Sequence, residues 1–288
     1  MNTPPPSSSS PPPILPFSCS RSPSRRAIPS LEDSSEMNSS THYASRIQPS
    51  RKYTLTRDDD PLDLLCRHFN VAKATLEPGT PLPSTLDLHV LRDAHMPSHI
   101  LAVFDAPQSE SDRSPSYSQP IIIIPVHADL YAREFRSSIL PQSPPGTAFP
   151  VPHPDPSFPS RQVVTLPVIP TRVPHAPSVP LLLLFGLGLE SRARILSCAL
   201  LPPDVIGEFP SAPVMAQQMA SMCTDDQLRS HVSFNQGLWK NILALGPRDT
   251  HFIGLVQTAW NATVEARRIR QRMSTTANGT TPPLLSPV

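Results

Sequence analysis

What this sequence has little of narrows it quickly. Aromatic side chains make up 6% of its 288 residues and charged ones 16%. One continuous core across the whole chain is excluded, because buried apolar surface has to outweigh lost chain entropy and long stretches here carry almost none. Cysteine is scarce as well: Cys19, Cys66, Cys198 and Cys223 are all there are, and no two stand as C-x-x-C. That argues against a disulfide scaffold and points to thiols in a reducing compartment. The most apolar run, Leu181 to Leu189, holds nine residues, two of them glycine, whereas a bilayer takes about 20. The N-terminus has no apolar stretch behind a basic start, so no signal peptide is read there. Net charge is +1, which gives no overall attraction to nucleic acid or anionic lipid. The expectation is a soluble intracellular protein, nuclear or cytoplasmic. Without a secretory route, the glycosylation patterns at Asn261-Ala-Thr263 and Asn278-Gly-Thr280 are read as chance.

What is there in quantity is proline, 40 residues of it, and its distribution divides the chain. Residues 1–52 are rich in Pro and Ser and are expected to be disordered, because proline favours extended backbone without internal hydrogen bonds. Residues 53–272 form the expected interaction core, interrupted by Pro- and Ser-rich loops at 107–119 and 141–160. Residues 273–288 are an expected disordered tail. Ser22, Ser114 and Ser143 each precede a proline. They are candidate phosphorylation sites, where a phosphate would add up to about two negative charges.

Within the core, Asp60-Pro61 starts a helix: Asp caps free N–H groups, and Pro at the first position sacrifices no hydrogen bond. Leu62, Leu65 and Phe69 share its apolar face. Residues 98–104 read as a strand, Ile121–Ile124 with Val126 as a second, and Val163–Val168 as a third, with a short helix from His127 to Phe135. The rest is helical. Ser178 and Pro180 open an apolar helix, Leu189–Leu201 forms a second segment, and Pro202-Pro203 stops it. Pro213 starts another, with Val214, Met215, Met219 and Met222 expected inward. Thr224-Asp-Asp-Gln227 is a capping-box pattern, followed by Leu228, Val232, Leu238, Trp239, Ile242 and Leu245 at helical spacing and a stop at Gly246-Pro247. A last helix runs from about Asp249 to Arg272. Strands first and helices after predict an α+β fold, a small sheet covered by a helical C-terminal half.

Three stretches resemble the clampless-type proteins of basidiomycete fungi. The first is His99–Phe104 followed by Ile124-Pro-Val-His127-Ala-Asp-Leu130-Tyr-Ala132. The second is Val164–Pro170, running into the Leu181 helix and Cys198-Ala-Leu-Leu-Pro202. The third is Gly237-Leu-Trp-Lys-Asn241-Ile-Leu-Ala-Leu-Gly246, followed by the Trp260 helix. The resemblance implies a nuclear or cytoplasmic developmental regulator, associated with clamp-cell formation and dikaryon growth under mating-type control, acting through protein partners and without enzymatic activity. The chain departs from that pattern at Phe185-Gly-Leu-Gly188, where a Tyr and basic residues are expected. The order strand, His127-x-x-Leu130, helix, strand, apolar helix is also similar to a BTB/POZ domain, which implies partner binding or dimerisation and no cofactor.

Chemistry was sought residue by residue. His95 and His99 are four apart with His89 nearby, a metal-ligand spacing on a helix. Pro97 disfavours a helix between them, and no further ligand stands at a telling distance. A metal-dependent enzyme on His89, His95 and His99 is therefore an alternative, not the leading reading. His127 as a general base lacks a nucleophile and an orienting partner. Gly186-Leu-Gly188 lacks the rest of a phosphate-loop pattern. Arg267, Arg268, Arg270 and Arg272 form the one basic cluster, either a solvated helix end or a nuclear-import or phosphate-contacting patch. A DNA-associated regulator using Arg267–Arg272 is the other alternative. Trp239 and Trp260 are candidate interface anchors, since tryptophan is enriched where binding energy concentrates. The leading expectation is a non-enzymatic protein without catalytic residues or cofactors, binding other proteins such as transcription factors or a second copy of itself. Direct nucleic-acid contact and membrane association are not expected.

Overall fold

The computed structural model describes residues 60–77, 79–92, 94–106, 120–141, 150–207 and 211–278. Ser22, Ser114 and Ser143 lie outside the described residues, as do the Pro/Ser-rich segment 1–52 and the 107–119 loop.

The chain enters through helix α1, Pro61–His68. The Asp60 carboxylate accepts the Leu62 N–H at 3.0 Å, and Lys73 bridges Asp60 and Asp63. Asp60 thus caps the helix as its sequence position predicts. Leu62, Leu65 and Phe69 are buried as the spacing predicts.

Strand β1 (Thr85–His89) follows, then β2 (His99–Asp105) and β3 (Ile122–Val126), joined as an antiparallel pair. Helix α2 (Ala128–Glu134) comes next, then the two-residue β4 (His153–Pro154) and β5 (Gln162–Val173). The sheet order is β1-β5-β2-β3, with β4 beside the start of β5. β5 is the axis of this sheet. Its first half pairs antiparallel with β1 (Leu88↔Val164), and its second half runs parallel to β2 (Ile100↔Val168 to Asp105↔Val173). It is twice the strand expected from Val163 to Val168. Pro167 and Pro170 discourage a strand reading, yet both sit at exposed positions while Leu166, Val168, Thr171 and Val173 turn inward.

After a 3₁₀ turn at Ala176–Ser178, α3 (Val179–Gly186) is buried at every residue, as a helix apolar all round must be. Then come α4 (Ala193–Leu200), α5 (Pro203–Ile206), α6 (Ala212–Met222), α7 (Asp225–Leu245) and α8 (Thr250–Asn278). The fold is α+β, with a helical C-terminal half. In α6, Met215 and Met219 point inward as expected. Val214 and Met222 do not: they are 44% and 56% exposed, because the buried face of that helix is completed by Ala216 and Ala220 instead. α8 packs along α6 and α7 and runs six residues past Arg272. No helix among the described residues is long and apolar enough to cross a membrane.

Candidate functional site: the α7 hub and the surface around it

Helix α7 starts where the sequence says it should. Thr224 accepts the Gln227 N–H, and Gln227 accepts the Thr224 N–H, both halves of the capping box. It ends at Gly246, whose φ of 64° and ψ of 60° place it in the left-handed region that glycine enters without strain. Between those ends, three polar or small side chains of the third family-like stretch and its approach are spent on holding other parts of the chain.

Asn241 is fully buried and uses its amide on both sides. Its Oδ1 accepts the His175 N–H at 3.1 Å, and its Nδ2 donates to the His175 carbonyl at 2.6 Å and to Ser178 Oγ at 2.9 Å. The turn that joins β5 to α3 is therefore clamped by one side chain. Asp105, at the end of β2, completes the clamp by accepting the Ala176 N–H at 2.6 Å. Four residues earlier on α7, Gly237 lets the His175 ring lie flat against the helix. A Cβ there would sit 2.7 Å from the His175 Cβ.

The other face of α7 answers a different deficit. Leu200 ends α4, and Pro202 and Pro203 have no N–H to offer the last carbonyls of that helix. Asn235 Nδ2 donates to the Leu200 carbonyl at 3.1 Å, and His231 Nδ1 lies 3.1 Å from the same oxygen. Asn235 is wholly buried, and its Oδ1 has no partner within the described residues. At the C-terminal end, Arg136 and Ser137 donate their N–H groups to Gly246 and Leu245, and the Arg248 N–H reaches back to the Glu134 carbonyl. The second and third stretches of the clampless resemblance thus meet on this helix at Leu200, and Glu134 to Ser137, just past the first stretch, join its C-terminal end.

A Ser–His–Asp trio, Ser178, His175 and Asp105, arises in this clamp. It has the composition of a nucleophilic site but not the arrangement. Ser178 has no exposure, and its Oγ is already shared with His175 Nδ1 at 3.0 Å, the His175 carbonyl and Asn241. The Asp105 carboxylate holds a backbone amide rather than the imidazole. Burial pulls the His175 imidazole below its usual range, opposed by Asp105 and helped by Lys240. No sequence signal pointed to His175, Ser178 or Asp105, which are brought together only by tertiary folding.

The histidines of the metal alternative are divided. His89 ends β1 opposite Val163, His95 acts electrostatically on His68, and His99 acts with His127. Among the described residues no three His, Cys, Asp or Glu side chains gather closely enough to hold an ion. His99 and Ser98 instead organise the start of α2: Ser98 Oγ accepts the Ala128 N–H at 2.8 Å and lies 2.9 Å from His99 Nδ1. Burial lowers the pKa of His68, His99 and His127.

The basic cluster is divided too. Arg270 turns inward. Its Nε donates to the Ala220 carbonyl at 2.8 Å, its other nitrogen reaches the Cys223 carbonyl, and it pairs with Asp225 at 3.4 Å. It caps the end of α6 and bridges to the start of α7. Arg268 and Arg272 both pair with Glu265. Arg267 is exposed. Four adjacent arginines therefore do not present one cationic face.

Trp239 and Trp260 are both half-buried, with Trp239 packed on the core edge. Phe185-Gly-Leu-Gly188, where a partner surface or phosphate loop could have been sought, is interior up to Leu187. A Cβ on Gly186 would meet the Phe135 ring at 2.6 Å, so this glycine is there for close packing.

Residues 193–286 match the family model of the Clampless protein 1 C-terminal domain. The match takes in α4 through α8, and so the α7 side of the hub but not His175, Ser178 or Asp105. No curated protein matches the chain, and no solved structure does. The BTB/POZ likeness rests on element order alone, and no comparison supports it. Residues 193–286 thus carry a likeness to the Clampless protein 1 C-terminal domain, and that match supports the clampless-type resemblance of the sequence.

Proposed function

We propose that this protein serves clamp-cell development as a non-enzymatic adaptor, contacting other proteins through its surface. The clampless domain connects the chain to that process. The contact mechanism is our reading, and one observation carries it: the polar side chains with the composition for chemistry are used up inside. Asn241, Ser178, His175 and Asp105 satisfy each other and the backbone of one turn, and Asn235 and His231 satisfy the end of α4. A buried network of this kind specifies a shape. Shape is what a docking protein needs, and the half-exposed Trp239 and Trp260 are the side chains on it best suited to anchor a partner.

The test is affinity purification of the full chain from its own cells, comparing wild type with Trp239→Ala, Trp260→Ala and a triple Arg267, Arg268 and Arg272→Ala variant. Specific partners retained by wild type and lost by a tryptophan variant that still unfolds cooperatively support the reading. A chain that captures nothing specific but turns over a substrate would overturn it.

A further inference from the structure

Exposed apolar side chains concentrate at one end of the sheet. Of seven large hydrophobic residues more than a third exposed among the described residues, Leu91, Val151 and Phe158 fall there, at 56%, 74% and 55% exposure. Leu91 and Val151 line an open groove of about 650 Å³ between the end of β1 and the chain entering and leaving β4. Pro152 belongs to the same wall, and His89, Arg92 and Arg161 supply the polar side of it. Among the described residues no Asp or Glu lines this groove. The Arg161 guanidinium is held over the Phe158 ring at 5.0 Å from its centre, which orients its edge. A stacked guanidinium keeps its in-plane N–H donors for a carboxylate while its face stays on the ring.

The local backbone says which kind of contact fits. β4 is two residues long and its edge carries Pro152 and Pro154. Proline removes the N–H donors that an added strand would need. Recognition here must therefore come from side chains: an aliphatic one against Leu91 and Val151, and an anionic one against Arg161.

We propose that this groove docks a short acidic segment of a partner protein, with aliphatic side chains alternating with Asp or Glu. Charge complementarity selects it, since the exposed Arg161, with no carboxylate among the described lining residues, favours an anionic side chain and disfavours a basic segment. This rests on the adaptor reading above, and it names the class of segment such a partner presents.

The test uses the full chain and a fluorescein-labelled 12-residue peptide of alternating Leu and Glu, read by fluorescence anisotropy. Two control peptides replace Glu by Lys or Leu by Ser. The Leu/Glu peptide should bind, weaken with added salt, and lose about tenfold or more in affinity with Arg161→Glu and with Val151→Ser. Both positions are exposed, so far-UV circular dichroism and Tm should not move. No binding of the Leu/Glu peptide overturns the proposal. So does equal binding of the Ser/Glu peptide, which marks bare charge attraction, or binding that both variants leave unchanged. If the purified partners are still captured by Arg161→Glu, the adaptor reading stands and the groove falls.

Discussion

Gly237→Ala is the sharpest probe of the hub, because two physical effects of opposite sign meet in one methyl group. In the interior of a helix, Ala is favoured over Gly by about 1 kcal/mol. Helix propensity alone therefore predicts a more stable protein. The close approach of His175 predicts the reverse. The new Cβ would come within 2.7 Å of the His175 Cβ and closer still to the ring, and a contact under 3 Å has to be relieved by movement. His175 cannot simply swing away. Both its backbone groups are held by Asn241 and its ring by Ser178. Overpacking of this kind costs about 1–3 kcal/mol, so the net expectation is a loss of ~0–2 kcal/mol and a Tm lower by up to ~8 °C. Thermal and urea unfolding at neutral pH measure it. The decisive comparison is the same substitution in a His175→Gly background, which removes the three atoms nearest to the methyl. There Gly237→Ala should become stabilising by about 1 kcal/mol. If Gly237→Ala raises Tm in the parent, or has the same effect in both backgrounds, the packing argument is wrong.

Other expectations follow from the same contacts. Asn241→Leu leaves the His175 N–H and carbonyl buried without partners and should cost about 2–5 kcal/mol in urea unfolding, well beyond Asn235→Leu, which removes a single hydrogen bond. Arg270→Gln uncaps the end of α6 and should lower stability by about 1–3 kcal/mol, whereas Arg268→Gln and Arg272→Gln, on exposed pairs, should stay within about 0.5 kcal/mol. His68, His99, His127, His175 and His231 are all pulled below the usual histidine range, by burial first. The folded state therefore prefers them neutral. Their contribution is complete above ~6.5, the unfolded value, and is lost as pH falls through the lower folded values. Tm should be flat from pH 8 to 7 and drop below about pH 6.5, and a Tm that rises on acidification would contradict it. Burial, with Asp63 adding to it, pushes the Cys66 thiol up to about 12, so maleimide at pH 8 should label Cys66 only after unfolding.

Local signals were legible where the chemistry is local. The Thr224 capping box, the Asp60-Pro61 start and the wholly apolar α3 are each written within a few residues, and each forms as read. What failed depended on distant partners. The Asn241 side chain and the His175 turn it clamps are 66 positions apart, and nothing in either segment announces the other. Arg270 looks like its neighbours in sequence, yet only it finds the end of α6 within reach, 50 residues away. β1 was readable in principle, because Leu86 and Leu88 alternate with Thr85, Asp87 and His89. The second half of β5 was hidden by Pro167 and Pro170, whose lost N–H groups the sheet tolerates at exposed positions.

The location of the motif residues also constrains where function can lie. Trp, Asn and Gly give the third stretch its distinctive look, and beside Trp239 its Gly237, Asn241 and Gly246 each have a structural reason: close approach, a buried clamp and a left-handed cap. Residues fixed by such demands specify the scaffold, and they would be needed whatever the scaffold bound. The third stretch of the clampless resemblance is thus largely a signature of α7 and what it ties down. On the adaptor reading, partner choice falls to side chains that the hub does not require. At the sheet end these are the exposed Leu91, Val151 and Arg161; on the helical half they are the half-buried Trp239 and Trp260. Substitutions at the sheet-end positions should change binding without changing Tm, and substitutions in the hub should change Tm first. A protein whose binding failed only together with its stability would instead have its interface built into the hub itself.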